Sequence, residues 1–295
     1  MKRFPIAALL LACAYAAANA PAEAKTVLFV GNSFTFGANS AAHFYKADTV
    51  TDLNGPLNGK TVGGVPAFFK ALTKEAGLDY DVSLETVGGK GLDYHLAEKR
   101  TVLDKPWDIV VMHGYSTLDI DHPGNPALLA TSAKQMTDMF RAKNAKAEIW
   151  LDATWSRADQ TYPSAAPWHG KPIQQMGIDV AAGYAAAAQA AKATGVVPVG
   201  LAWNRAFDTG VAEDNPYDGI AADKINLWTW DNYHASAYGY YLEALMVFGK
   251  VTGRDPLSLG DAETVADDMG FSKPQTHALQ QVAHDQLAAS NQLGQ

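Results

Sequence analysis

Apolar residues fall along this chain in two alternating rhythms. The first is a short, nearly unbroken run that stops at a small residue, as in "TVLFV" (Thr26 to Val30), which ends at Gly31. A run of that length bounded by turn formers predicts a buried strand. "YDVSLETV" (Tyr80 to Val87), which alternates and stops at Gly88-Gly89, "WDIVVMH" (Trp107 to His113), "AEIWLDA" (Ala147 to Ala153) and "VVPVGLA" (Val196 to Ala202) bring the set of strands to five. The second rhythm is amphipathic and predicts helices over Val65 to Ala76, Leu92 to Leu103, Ala127 to Lys143 and Gln174 to Thr194. Strand–helix alternation of this kind predicts an α/β domain, a parallel sheet covered by helices on both faces.

Two polar stretches interrupt the alternation. Lys46 to Gly64 is rich in Asn, Asp and Gly, and Ser156 to Pro172 holds Pro, Tyr, Trp and His. Each comes after a strand, and open parallel sheets bind ligands beyond their strand C-termini. Loops this long are more often functional than decorative. From about residue 254 a loop leads into helical stretches, "DAETVADDMG" and "KPQTHALQQVAHDQLAAS", which read as structural packing.

Composition changes the picture at the N-terminus. Lys2 and Arg3 precede an Ala- and Leu-rich run from Ile6 to Ala18, and "AEA" (Ala22 to Ala24) has the small-x-small form of a cleavage site. Residues 1–24 are therefore expected to be a secretory signal peptide, too short for a membrane span, and the protein to be exported to the periplasm or beyond. "LLAC" ending at Cys13 offers lipoprotein anchoring as the minor alternative. Cys13 is the only cysteine, so residues 25–295 contain no disulfide, thiolate nucleophile or cysteine-based metal site. Roughly 270 residues suffice for one domain held by its own core. The chain carries 23 basic and 31 acidic residues; without Lys2, Arg3 and Glu23 the balance is 21 to 30, a net charge of −9. With no basic cluster, nucleic acid is excluded as a partner, and no later segment approaches membrane-spanning length.

The chemistry concentrates in two short stretches. In "VLFVGNSFTFG" a strand ends at Gly31-Asn32-Ser33, which puts the Ser33 hydroxyl at the C-terminal edge of the sheet. Serine needs a base to take its proton, and that base needs an orienting partner. Of the eight histidines, His43, His95, His277 and His284 lie on predicted helices, where a half-exposed surface histidine is ordinary. His234 differs, because Asp231 precedes it by three residues in "WTWDNYHASAYGYYL". In a turn entering a helix that spacing lets the carboxylate reach Nδ1 and leaves Nε2 for a nucleophile.

Strand–Gly-x-Ser near the start and Asp-x-x-His before a late helix together resemble the SGNH/GDSL hydrolase family, from Val27 to about Phe248. The resemblance implies a flavodoxin-like three-layer α/β/α sandwich with a roughly five-stranded parallel sheet. It implies Ser33 as nucleophile, His234 as base and Asp231 as its partner, with no cofactor. Asn32-Ser33-Phe34 stands where the name motif has Asp-Ser-Leu, and the other serine-hydrolase signature, G-x-S-x-G, is absent. The oxyanion-hole donors implied are the N–H groups of Ser33 and of a glycine in "ETVGGKGL", for which Gly89 fits better than Gly88. The third block, usually Gly-x-Asn-Asp, is "GYST" here, so Ser116 replaces the asparagine. Serine has one hydroxyl donor where asparagine offers an amide, which marks a divergent branch.

Asn32, Trp155 and Trp230 are the expected substrate-binding residues. Trp155, Trp168, Trp203, Trp228 and Trp230 fall near strand ends or in loops, where indoles can form a platform for a sugar or aryl group, or simply pack. Asp152 and Arg157, flanking Trp155, could orient such a ligand. "GGKGL" has neither the P-loop nor the dinucleotide-binding spacing, and "DHPGN" and His169 lack a paired metal ligand. The expectation is a secreted serine esterase acting on short acyl groups, including acetyl groups on saccharides. A carbohydrate-binding member without hydrolytic activity, or an acyltransferase, is the alternative.

Overall fold

The computed structural model describes residues 24–56 and 60–292. The expected leader and Cys13 lie outside the described residues, apart from Ala24. Six strands form one sheet in the order β2-β3-β1-β4-β5-β6: β1 (Lys25–Gly31), β2 (Thr51–Asp52), β3 (Tyr80–Thr86), β4 (Ile109–Met112), β5 (Glu148–Asp152) and β6 (Gly195–Val197). Every pairing is parallel, with Phe29 level with Leu84 on one side and Val111 on the other. Nine helices are described: α1 (Gly64–Glu75), α2 (Leu92–Glu98), α3 (Arg100–Leu103), α4 (Ala127–Lys143), α5 (Ile173–Ala191), α6 (Val199–Asp208), α7 (Ala237–Thr252), α8 (Thr264–Asp268) and α9 (Lys273–Gln292).

The sheet divides the apolar interior in two. Because side chains alternate along a strand, β1 sends Val27 and Phe29 into one core and Leu28 and Val30 into the other. The first core is closed by Phe68, Phe69 and Leu72 of α1, Trp203 of α6, most of α7, and Leu279, Val282 and Ala283 of α9. The second is closed by Leu92 of α2, Met136 and Phe140 of α4, and Met176, Val180 and Tyr184 of α5. Helix α7 is buried continuously from Gly239 to Phe248, as expected of a helix with neighbours on every side. It packs against α1, α6 and α9. Among the described residues no helix is long and apolar enough to cross a membrane.

Three expectations are corrected. The sheet has six strands, because Thr51 and Asp52 add a two-residue edge inside the first long loop; a pair of residues shows no periodicity to read. The fifth expected strand stops at Val197. Pro198, which cannot donate to a ladder and has a preset φ, caps α6 in its place. Leu92 to Leu103 is two helices that meet at Lys99.

Candidate active site

Strand β1 lies at the centre of the sheet, with β3 on one side and β4 on the other, where the strand order changes direction. That is where open parallel sheets form their crevice. The chain turns sharply after Gly31: Asn32 accepts the N–H groups of Thr35 and Phe36 on its carbonyl (3.0 and 3.1 Å), and Ser33 accepts that of Ala38 (3.0 Å). The buried Tyr240 hydroxyl of α7 donates to the carbonyls of Ser33 and Ala38, both at 3.2 Å. Gly31 has no room for a side chain, since a Cβ would strike the Thr35 hydroxyl and the His113 ring.

This turn aims Ser33 at the loop before α7. Ser33 Oγ lies 2.9 Å from His234 Nε2, and His234 Nδ1 lies 2.6 Å from Asp231 Oδ2. A carboxylate only accepts, so the Nδ1–H donates to Asp231 and Nε2 is left to accept the serine proton. Asp231 Oδ1 accepts the N–H groups of Tyr233 (3.0 Å) and His234 (2.9 Å) and the Thr229 hydroxyl (2.8 Å). Burial alone would raise the Asp231 pKa. The hydrogen bonds from His234, Thr229 and Tyr233 outweigh it and hold the carboxyl at about 2, so it is ionised at neutral pH. Asn39 of the β1–β2 connection, in a left-handed conformation (φ 60°), donates to Asp231 Oδ2 at 2.8 Å. The sequence reading missed Asn39, whose role exists only through a contact with a residue far away along the chain.

Asn32 corrects an expectation. It is buried, and both amide hydrogens are used, one on the Lys90 carbonyl (2.9 Å) and one on the Gly114 carbonyl (3.2 Å). Its Oδ1 accepts the Phe34 N–H at 3.1 Å. Asn32 therefore ties the turns after β3 and β4 to the serine turn and has no hydrogen left for a substrate. Those turns carry Gly89, one residue before Lys90, and Ser116, two residues after Gly114. Gly89 is exposed, in a left-handed conformation (φ 70°), and the N–H groups of Ser33 and Gly89 have no acceptor among the described residues.

Ser116 is buried, and its Oγ accepts a hydrogen bond from Arg157 Nη1 at 3.1 Å. Arg157, in the loop after β5, is fixed on two further sides. Its Nε and Nη2 donate to the two oxygens of Asp159 at 3.0 and 2.6 Å. Its guanidinium carbon lies 3.5 Å from the Tyr233 ring centroid, and that ring is 4.1 Å from the His234 ring.

Of the two tryptophans expected to bind substrate, Trp155 is corrected. Trp155 is fully buried, stacked between Phe34 (4.0 Å) and Trp203 (4.8 Å), and donates to the Tyr233 carbonyl at 3.2 Å. With Trp228 against Trp203 and Phe207, it forms a column beneath the serine turn and the histidine loop. Trp168 is also buried, and of the five tryptophans only Trp230, beside Asp231 and 83% exposed, faces outward. His95, expected at the surface, is fully buried, its Nδ1 2.5 Å from Glu85. Among the described residues no three His, Cys, Asp or Glu side chains converge as a metal site.

No family model matches the chain, and no curated protein does. Solved structures do. A DUF4886 family protein from Bacteroides uniformis superposes with a TM-score of 0.62 at 16% identity, over 91% of this chain and 96% of that one. A protein from Parabacteroides merdae named as a GDSL-like lipase gives 0.53 at 16% identity, covering 78% and 95%. The protein named TesA gives 0.51 at 16% identity, covering 78% and 99%. The open parallel sheet flanked by helices superposes on proteins of this group, and the chain has the fold of the SGNH/GDSL hydrolases.

Proposed function

We propose that the protein is a serine esterase that cleaves carboxylic esters of short acyl groups, acetyl esters of saccharides among them. The observation that carries this reading is the continuous relay from Ser33 Oγ through His234 to Asp231, at 2.9 and 2.6 Å. His234 Nε2 takes the Ser33 proton as Oγ adds to the ester carbonyl, and the carbonyl π electrons move onto oxygen. The N–H groups of Ser33 and Gly89 receive that oxyanion, with Ser116 at the third position. Collapse expels the alcohol, protonated by the imidazolium that Asp231 stabilises. Water, deprotonated by His234, then adds to the acyl-enzyme, and collapse frees the acid and returns the proton to Ser33. No cofactor enters.

Beside the Gly88-Gly89 turn lies a mostly apolar cleft of ≈ 450 Å³, lined by Phe36, Val62, Val87 and Gly88 among others. The exposed Trp230 face beside Asp231 suits stacking on a sugar ring, and the leader expected from residues 1–24 suits a substrate outside the cell. The test is release of p-nitrophenol from esters of increasing chain length by wild type and Ser33→Ala. Turnover is expected to peak at acetate or propionate and to disappear in Ser33→Ala. Undiminished turnover by Ser33→Ala would remove the reading.

A further inference from the structure

Ser116 stands where an asparagine amide would otherwise help bind the oxyanion, and its surroundings account for the exchange. A hydroxyl has one hydrogen to donate and two lone pairs to accept with. Ser116 Oγ already accepts Arg157 Nη1 (3.1 Å), and its own hydrogen has no acceptor among the described residues. A donor left idle in a buried position is costly unless something else takes its hydrogen. Asn32 ties the Gly114 carbonyl to the serine turn, so the idle donor belongs to a loop fixed against the nucleophile. The guanidinium is held in place by Asp159 and by the Tyr233 ring. A cation donating to a hydroxyl oxygen polarises its O–H and makes it a stronger donor.

On the esterase reading above, we infer that Arg157 and Ser116 act as one unit that replaces the missing asparagine, the Ser116 O–H donating to the oxyanion while Arg157 polarises it. Ser116 is the group that meets the reacting oxygen; Arg157 is a positioning residue acting through it. The same loop fixes the histidine side of the site, since Asp159 N–H donates to the Asn232 carbonyl at 3.2 Å and Trp155 to that of Tyr233. A single segment after β5 therefore sets both the donor and the base.

The experiment is steady-state hydrolysis of p-nitrophenyl acetate by wild type, Ser116→Ala, Arg157→Met, Arg157→Lys and the double variant Ser116→Ala/Arg157→Met. Each is accompanied by a thermal melt, with Ser33→Ala as the blank. Removing one oxyanion donor typically lowers kcat by ~10²–10³-fold; that loss is expected for Ser116→Ala, and a smaller fall in kcat for Arg157→Met, which leaves the donor unpolarised, both with KM within about threefold of wild type. The double variant should be no slower than the slower single by more than about threefold, as for residues acting as a unit. Arg157→Lys, which keeps a cation and an N–H donor, should recover part of the rate. If Arg157→Met melts early, Arg157→Lys and Ser116→Ala still decide the matter. Unchanged kcat in Ser116→Ala, or an Arg157 effect that is equally large without Ser116, overturns the inference while Ser33 still carries turnover. A wild type no faster than Ser33→Ala removes the esterase reading, and the inference with it.

Discussion

Asn32 shows how much of this site depends on a side chain that does no chemistry. Its amide spans the carbonyls of Lys90 and Gly114 and so sets the spacing of three turns that come from three adjacent strands. Asn32→Ala should strip the Lys90 carbonyl of its donor and leave the Gly114 carbonyl with His113 Nδ1 alone, at a stability cost of about 1–3 kcal/mol. It should also let the oxyanion turns drift from Ser33. A displacement of about 1 Å can cost ~10²-fold in rate, so kcat should fall by about that factor while KM changes little. Steady-state kinetics beside a urea melt separates the two effects; full kcat with only a lowered midpoint would make Asn32 purely structural. Gly31 belongs to the same scale, because only a residue without a Cβ lets Thr35 and His113 close behind the serine turn.

Among the elements, the contact between β5 and α7 carries a pH dependence. Asp152, at the end of β5, and Glu243, inside α7, are both buried and share a hydrogen bond. Burial raises both pKa values, that of Asp152 to about 7, and the Asp152 charge raises Glu243 further. Glu243 thus keeps the proton and donates it to Asp152. A carboxyl whose pKa is raised on folding contributes stability that is fully present below its unfolded value, 3.8 for Asp152, and lost as the pH climbs through about 7. Asp231 has the opposite sign, its contribution being present above 3.8 and lost as the pH falls through about 2. The melting temperature is therefore expected to decline from pH 4 to 8, and Asp152→Asn should flatten that decline. An equal decline in the variant would place its origin elsewhere. The elements also show what was legible in the chain. Apolar runs ending at a small residue marked β1, β4 and β5, because strands buried on both faces need continuous hydrophobicity, and an alternating stretch ending at Gly88 marked β3. Val199 to Ala202 is equally apolar and is helical, so hydrophobicity could not separate the two, whereas Pro198 was the available signal. Ser33, Asp231 and His234 were legible as a spaced pattern; Arg157 was legible only as a residue that could orient a ligand, since its partners Ser116 and Tyr233 meet it only through the fold.

Over the whole molecule, every proposed functional group comes from the same edge of the sheet. Gly89 follows β3, Ser33 follows β1, Ser116 follows β4 and Arg157 follows β5, four strands that are neighbours in that order. Asp231 and His234 come from the long connection before α7, which closes over that edge and rests on the Phe34–Trp155–Trp203 column. The two cores fix the sheet, the sheet fixes the turns, and side chains from distant segments converge without a metal or cofactor entering the proposed chemistry. The claim most open to direct test is that Ser33 is a nucleophile activated by His234. Labelling with a fluorophosphonate, followed by peptide mass mapping, is expected to place a single adduct on Ser33. The adduct should be absent in Ser33→Ala and should form far more slowly in His234→Ala. No adduct on Ser33, or one that forms as fast without His234 as with it, would contradict the account.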